Sequence, residues 1–140
     1  MKIMIVDDER IASEELYDIC LSHPRIKEAN VFNNPAEALY FISEHNDIDI
    51  AFLDIEMPVM TGLELAKKIN EINNSTKIVF VTGFKEYAYD AFKVNAIGYV
   101  LKPYDDDTVF QEIEKADAFK NTTPSNEIAI KTFGYFDIFV

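Results

Sequence analysis

Three aspartates follow apolar segments of this sequence and could share a cation. Asp7 and Asp8 come directly after one such segment, and Asp54 ends another. Carboxylates brought close together cannot all stay charged without a cation. Mg²⁺ is a suitable ion, because it prefers carboxylate, carbonyl and water oxygens. These residue types therefore predict a magnesium site, provided that the fold brings them together.

Asp54 is also a candidate nucleophile. Thr82 ends the next apolar segment along the chain, and Lys102 follows the one after that. A carboxylate can attack a phosphoryl group and form an acyl phosphate. A metal ion and an ammonium group would neutralise the oxygens of the transferring group. The combination predicts phosphoryl transfer to Asp54.

Five strand-like segments alternate with five helix-like segments. The strand-like segments lack polar alternation, which indicates a parallel sheet covered on both faces. The right-handed crossover rule then favours an open, doubly wound α/β sheet, whose chemistry gathers at the carboxyl ends of the strands. The first helix is expected to bury Ile11, Leu16, Ile19 and Cys20 on one face. Strands are predicted at 2–8, 29–34, 48–55, 77–83 and 96–103, and helices at 9–23, 35–45, 61–73, 86–95 and 106–120.

The composition indicates one domain in a reducing compartment. The chain has 140 residues, 49% of them hydrophobic, and a formal net charge of -12, so it repels nucleic acid and anionic membranes. Its only cysteine excludes a disulfide within the chain, which favours the cytoplasm. We find no secretory signal and no apolar run long enough to span a bilayer. His23 and His45 lie near helix ends without a partner motif, and both are expected to be solvated.

Four motifs in sequence order resemble the receiver domains of bacterial two-component response regulators. They are VDDE after the first strand, DIEMPVMTG after the third, VTG after the fourth and YVLKP on the fifth. The resemblance covers about residues 1–120. It implies a flavodoxin-like or CheY-like sheet of five parallel strands, in the order 2-1-3-4-5, with helices on both faces. It also implies that a sensor histidine kinase supplies the phosphoryl group in phosphorelay signal transduction.

The resemblance gives each candidate residue a role. Asp54 corresponds to the phosphoacceptor, and Asp8 to a direct Mg²⁺ ligand. Phosphorylation is expected to draw the Thr82 hydroxyl inward and make room for the Tyr99 ring. The implied metal ligands are Asp7, Asp8, Asp54 and the backbone carbonyl of Glu56; the switch and phosphate-binding residues are Thr82, Tyr99 and Lys102; and the peptide bond before Pro103 is expected to be cis.

The last residues resemble the start of an output domain. We expect a polar linker at 121–126, followed at 127–140 by the opening strands of a winged-helix DNA-binding domain of a transcriptional regulator. This segment would form a β-hairpin and stop before any recognition helix, so DNA would be bound only through the missing part. The resemblance also implies a homodimer formed through helix 86–95, the fifth strand and helix 106–120.

Three other functions remain open from the residues alone. A flavin- or nucleotide-binding enzyme would need a phosphate loop, whereas the first strand ends in acidic residues that repel phosphate. A Mg²⁺-dependent phosphatase would turn over phosphate esters repeatedly. A receiver domain that is never phosphorylated would act as an interaction module. The preferred interpretation is a phosphoacceptor signalling domain that catalyses at most its own phosphorylation and dephosphorylation.

Overall fold

The computed structural model describes residues 1–120 and a short strand at 137–139, in a sheet with helices on both faces. The first five strands are parallel and lie in the order β2-β1-β3-β4-β5, as predicted. The strands are β1 (Lys2–Val6), β2 (Glu28–Phe32), β3 (Ile50–Leu53), β4 (Lys77–Thr82), β5 (Gly98–Leu101) and β6 (Asp137–Phe139). The helices are α1 (Arg10–Leu21), α2 (Pro35–Glu44), α3 (Gly62–Ile72), α4 (Ala88–Lys93) and α5 (Asp106–Lys120).

Local sequence signals explain where two of the helices, α2 and α3, begin. Asn34 caps α2 by accepting the backbone N–H of Ala36, and Pro35 occupies the first turn, where no amide donor is needed. Thr61 and Glu64 form a capping box at the start of α3. These caps fix the points at which the chain leaves the carboxyl edge of the sheet.

The two faces of the sheet bury separate apolar cores. α1 and α5 cover one face through Leu16, Cys20 and Ile113, whereas α2, α3 and α4 cover the other. β1, β3 and β4 lie inside the sheet and are buried on both faces, which explains their continuous apolar sequences. No helix within residues 1–120 is long and apolar enough to cross a lipid bilayer.

A sixth strand extends the sheet beyond the predicted five. β6 pairs with β5 in parallel, with Tyr99 opposite Ile138 in the register. Without it, the outer edge of β5 would present unpaired backbone groups. The expected linker at 121–126 lies outside the described residues, as do 127–136 and 140, on which the expected hairpin largely falls.

Three expectations about the helices are wrong. Ile11 is 75% exposed, because it lies five residues from Leu16, about 140° around the helix, and Ser13 is buried instead. His23 is buried, with its ring edge against Phe110 at 4.8 Å between centroids. The helix expected at 86–95 is shorter, because a 3₁₀ turn (Lys85–Tyr87) precedes it.

Candidate functional site

The carboxyl ends of four strands bring the predicted site residues together. Asp54 follows β3, and its N–H donates to the carbonyl of Val6 at the end of β1 (2.9 Å). Lys102 follows β5, and its N–H donates to the carbonyl of Thr82 at the end of β4 (2.8 Å). Backbone pairing therefore continues just past the strands and fixes the spacing of the side chains.

Three carboxylates form an acidic cluster at this edge. One oxygen from each of Asp7, Glu9 and Asp54 lies within 4.8 Å of the other two. Asp7 and Asp54 are only 5% and 8% exposed. Asp8, the residue expected to be a direct metal ligand, is exposed and lies outside this cluster. All three donors are hard oxygen ligands, so their chemistry fits Mg²⁺.

Lys102 neutralises part of the acidic cluster. Its Nζ donates to Asp7 Oδ2 at 2.8 Å and lies 3.4 Å from Asp54 Oδ2. Burial opposes the charged ammonium, but the hydrogen bond to Asp7 and the charge of Asp54 outweigh it and raise the pKa of Lys102. The lysine therefore stays positively charged at neutral pH.

Burial raises the pKa of Asp54, and repulsion by Asp7 adds to the effect. Lys102 and Thr82 partly offset this rise, as does the backbone N–H of Ile55, which donates to Asp54 Oδ1 at 2.7 Å. Keeping Asp54 as a carboxylate therefore lowers the stability of the folded protein. A bound cation would remove this destabilisation, because it would neutralise the charge of Asp54.

Thr82 and Tyr99 lie on the neighbouring strands β4 and β5, and Thr82 is close to Asp54. The Thr82 hydroxyl is buried and makes no hydrogen bond of normal geometry with the described residues, yet it is close enough to Asp54 to favour the charged carboxylate. The Tyr99 ring is also buried, and its hydroxyl donates to the carbonyl of Phe84. Burial raises the pKa of Tyr99 to about 12. The ring is therefore already inside, although we expected it to enter only after phosphorylation.

The loop between β3 and α3 approaches Asp54 closely because Gly62 has no side chain. A Cβ at Gly62 would lie 1.9 Å from the Asp54 carbonyl oxygen, and the Gly62 N–H donates to Ile55 O at 2.7 Å. Glu56 lies in this loop with an exposed side chain. On the opposite side of the site, the Lys102–Pro103 peptide bond is cis.

Comparison with protein families assigns the chain to a family. The model of the Response regulator receiver domain matches residues 3–114. The chain belongs to this family. Receiver domains are a signalling fold and not a classical enzyme family, and the four motifs of the sequence lie at the corresponding strand ends.

Curated relatives of this receiver domain are about twice its length. The chain is 36% identical over 118 residues to the transcriptional regulatory protein YpdB of Escherichia coli K12, covering 84% of this chain and 48% of YpdB. The chain thus spans about half the length of the curated relatives it matches.

Solved receiver domains have the same fold. The response regulatory domain of MrkE from Klebsiella pneumoniae has a TM-score of 0.77 and 34% identity, covering 85% of this chain and 97% of that one. The response regulator TrrA from Thermotoga maritima, in complex with Mg²⁺ and BeF, has a TM-score of 0.73 and 32% identity, covering 82% and 97%.

Two residues near Asp7 in this receiver domain, Asn33 and Glu9, were given no role on the basis of the sequence. Asn33 Nδ2 donates to the Asp7 carbonyl at 2.7 Å and to Ser13 Oγ at 3.1 Å. Asn33 follows β2, which pairs with β1, so a polar residue at the carboxyl end of a neighbouring strand was the available signal. Glu9 was visible in the sequence as an acid at a strand end, but it received no role.

Proposed function

We propose that this receiver domain accepts a phosphoryl group from a sensor histidine kinase on Asp54 and then changes the surface through which it acts. The observation that carries the proposal is the position of Asp54, between an acidic cluster and the Lys102 ammonium. A phosphorylated imidazole of the kinase would be the physiological donor. A small phosphodonor such as acetyl phosphate provides the test in solution.

The side chains at the site have complementary tasks in this reaction. A carboxylate oxygen of Asp54 attacks phosphorus, and the bond from phosphorus to the donor nitrogen breaks, leaving its electron pair on the imidazole. Lys102 would bind the oxygens of the transferring group. Mg²⁺, when bound, would supply further positive charge at those oxygens. We infer that the domain catalyses at most its own phosphorylation and dephosphorylation.

The residues proposed to hold Mg²⁺ are Asp7, Asp8, Asp54 and the backbone carbonyl of Glu56. Glu9 is the additional carboxylate that lies within reach in the structure. Mg²⁺ is expected to stabilise the folded chain by about 1–3 kcal/mol at about 10 to 100 times its dissociation constant. The physical reason is that the ion binds the folded state and relieves repulsion between carboxylates. Thermal melting with and without Mg²⁺ checks this.

Two variants separate the ligand sets in that experiment. Asp8→Ala is expected to remove most of the Mg²⁺-dependent rise in melting temperature, as the family resemblance implies. Glu9→Ala is the matched variant for the cluster that the structure shows. A full rise in Asp8→Ala, together with its loss in Glu9→Ala, would reject Asp8 in favour of Glu9.

The switch is proposed to start at Thr82. Its buried hydroxyl has no hydrogen bond of normal geometry with the described residues, so a phosphoryl oxygen on Asp54 would give it a charged acceptor. The Thr82 hydroxyl would move toward that acceptor. Tyr99, on the neighbouring strand, would transmit this movement to α4, β5 and α5. Phe84, in the loop after β4, and Tyr89, on α4, expose aromatic surface, and we propose that a second copy binds the face formed by α4, β5 and α5 after phosphorylation, when β6 no longer covers the edge of β5.

Thr82→Ala is expected to accept phosphate but to respond weakly. The variant keeps Asp54 and Lys102, but it lacks the hydroxyl that would bind the phosphoryl group. Its phosphorylation-dependent association, measured by sedimentation, should fall several-fold, whereas Thr82→Ser should retain it. If phosphorylated Thr82→Ala associated as strongly as the phosphorylated chain without the substitution, the role of the Thr82 hydroxyl would be contradicted.

We further propose that residues 127–140 begin a DNA-binding output domain of winged-helix type, although residues 137–139 pair with β5 of the receiver sheet in this structure. Support comes from the length of the relatives and from the name of YpdB as a transcriptional regulatory protein. Phosphorylation would then control transcription through the longer protein. Promoter binding by that protein, but not by residues 1–120, would test this.

A further inference from the structure

A hydrogen bond joins the two loops on either side of the phosphoacceptor site. The Tyr87 hydroxyl donates to Glu56 Oε2 at 2.7 Å. Glu56 lies two residues after Asp54 in the loop before α3, and Tyr87 ends the 3₁₀ turn that follows β4. The hydrogen bond to Glu56 raises the pKa of Tyr87. The hydroxyl therefore remains a donor at neutral pH.

Tyr87 is connected to the buried Tyr99 through Phe84. The rings of Phe84 and Tyr87 make an edge contact, with centroids 6.2 Å apart and planes at 73°. The Phe84 carbonyl in turn accepts the Tyr99 hydroxyl. The position of the loop after β4 thus decides whether Tyr99 has a hydrogen-bond acceptor inside the domain.

The contact between Tyr87 and Glu56 lies at a surface cleft. Met57, Pro58 and Leu63 line this cleft on the side of the loop before α3. Tyr87 and Glu56 also line the cleft, and the hydrogen bond between them joins the loop after β4 to the loop before α3. A movement of either loop that changed the width of the cleft would therefore break the bond.

We propose that Tyr87 is a positioning residue, whose hydrogen bond to Glu56 holds the loop after β4 where Tyr99 stays buried before any phosphoryl group is present. The bond acts as a latch between the Asp54 side of the site and α4. Its consequence for signalling rests on the proposed phosphorylation of Asp54. Without the latch, the domain would bind a phosphoryl group less favourably, because fewer molecules would have the receptive arrangement.

The expected effect is moderate, because the bond lies at the surface. Removing the Tyr87 hydroxyl should shift the equilibrium between buried and exposed Tyr99 by about fivefold toward exposure. The affinity for a phosphoryl analogue should then fall by up to about fivefold, since it scales with the receptive fraction. Tyr87→Phe removes the hydroxyl and keeps the ring contact with Phe84.

NMR of Tyr87→Phe tests the latch. Titration with beryllofluoride in saturating Mg²⁺ should show weaker binding, and the Tyr99 ring resonances should move toward solvent-exposed values before the analogue is added. Tyr40→Phe is the matched control: Tyr40 lies on α2, and its side chain is exposed. It should leave both measurements unchanged.

A double-mutant cycle in metal-free buffer tests the latch independently of phosphorylation. Tyr87→Phe should lower stability in the unmodified chain, but have no further effect in Glu56→Ala, because the acceptor is already gone. Equal effects in both backgrounds, or Tyr99 resonances that do not move, would overturn the latch. If the coupling is present but beryllofluoride does not bind even the unmodified chain, the latch stands and the proposed function fails.

Discussion

Replacing Asp54 with asparagine is expected to abolish phosphorylation completely and also to raise the melting temperature of the metal-free chain. Burial and the charge of Asp7 both disfavour the Asp54 carboxylate. Asparagine has nearly the same shape without the charge, and Lys102 keeps its 2.8 Å hydrogen bond to Asp7. The expected gain is a few degrees, or about 1 kcal/mol in a domain of this size.

The gain from Asp54→Asn should depend on pH in a defined direction. The pKa of Asp54 is raised in the folded chain above its ordinary value of 3.8. Below that pH the Asp54 carboxyl group is protonated in both the folded and the unfolded chain, so it does not change the free energy of unfolding. As pH rises, the unfolded chain ionises first and the folded chain loses stability until its own carboxyl group ionises. The stability difference should therefore appear above about pH 4 and level off toward neutrality.

Asp90→Asn is the matched control for this charge effect. Asp90 is exposed on α4, so its charge is screened by solvent. Denaturant unfolding of both variants across the pH range provides the measurement. An equal change in both variants, or a less stable Asp54→Asn chain at pH 7, would contradict the electrostatic account of the site.

Replacing Lys102 with methionine is expected to have the second largest effect. The change leaves two nearly buried carboxylates, Asp7 and Asp54, without their cation. We expect a loss of about 1–3 kcal/mol in metal-free buffer, because an unpaired buried charge is costly and the partly open site moderates that cost. Phosphorylation by a small donor should slow at least tenfold, because the transferring group loses a positive charge.

Mg²⁺ should restore much of the stability lost in Lys102→Met, since the metal supplies the missing positive charge at the same edge. Lys68→Met is the matched control, because Lys68 is exposed on α3. Thermal melting of both variants, with and without Mg²⁺, provides the measurement. The account of the acidic cluster would be wrong if Lys102→Met were as stable as Lys68→Met without metal.

The parallel sheet and the convergence of the site follow from short-range patterns in the sequence, whereas the strand order is implied by the family resemblance. Continuous apolar segments identify the inner strands, and polar residues directly after them must lie at one edge of a parallel sheet. The bounds of α5 agree with the prediction, since Asp106 and Asp107 mark its first turn. The sequence motifs placed Asp54, Thr82 and Lys102 at that edge, and the structure brings them together.

Contacts that depend on side-chain direction could not be predicted. The choice between Asp8 and Glu9 depends on how the chain turns after β1, where the Glu9 N–H donates to Asp7 Oδ1. The hydrogen bond between Glu56 and Tyr87 joins residues 31 positions apart across two loops, and no local pattern encodes it. His23 shows the same limit, because its ring is buried against Phe110 on α5, which is distant in sequence.

Intact mass spectrometry with acetyl phosphate tests the central proposal most directly. With Mg²⁺, the unmodified chain should gain one labile phosphoryl group, and the gain should disappear with chelator or in Asp54→Asn. Asp90→Asn should still be labelled. An adduct that persists in Asp54→Asn would reject Asp54 as the acceptor, and a correctly folded, Mg²⁺-loaded chain that never gains the mass would instead indicate an interaction module without phosphorylation.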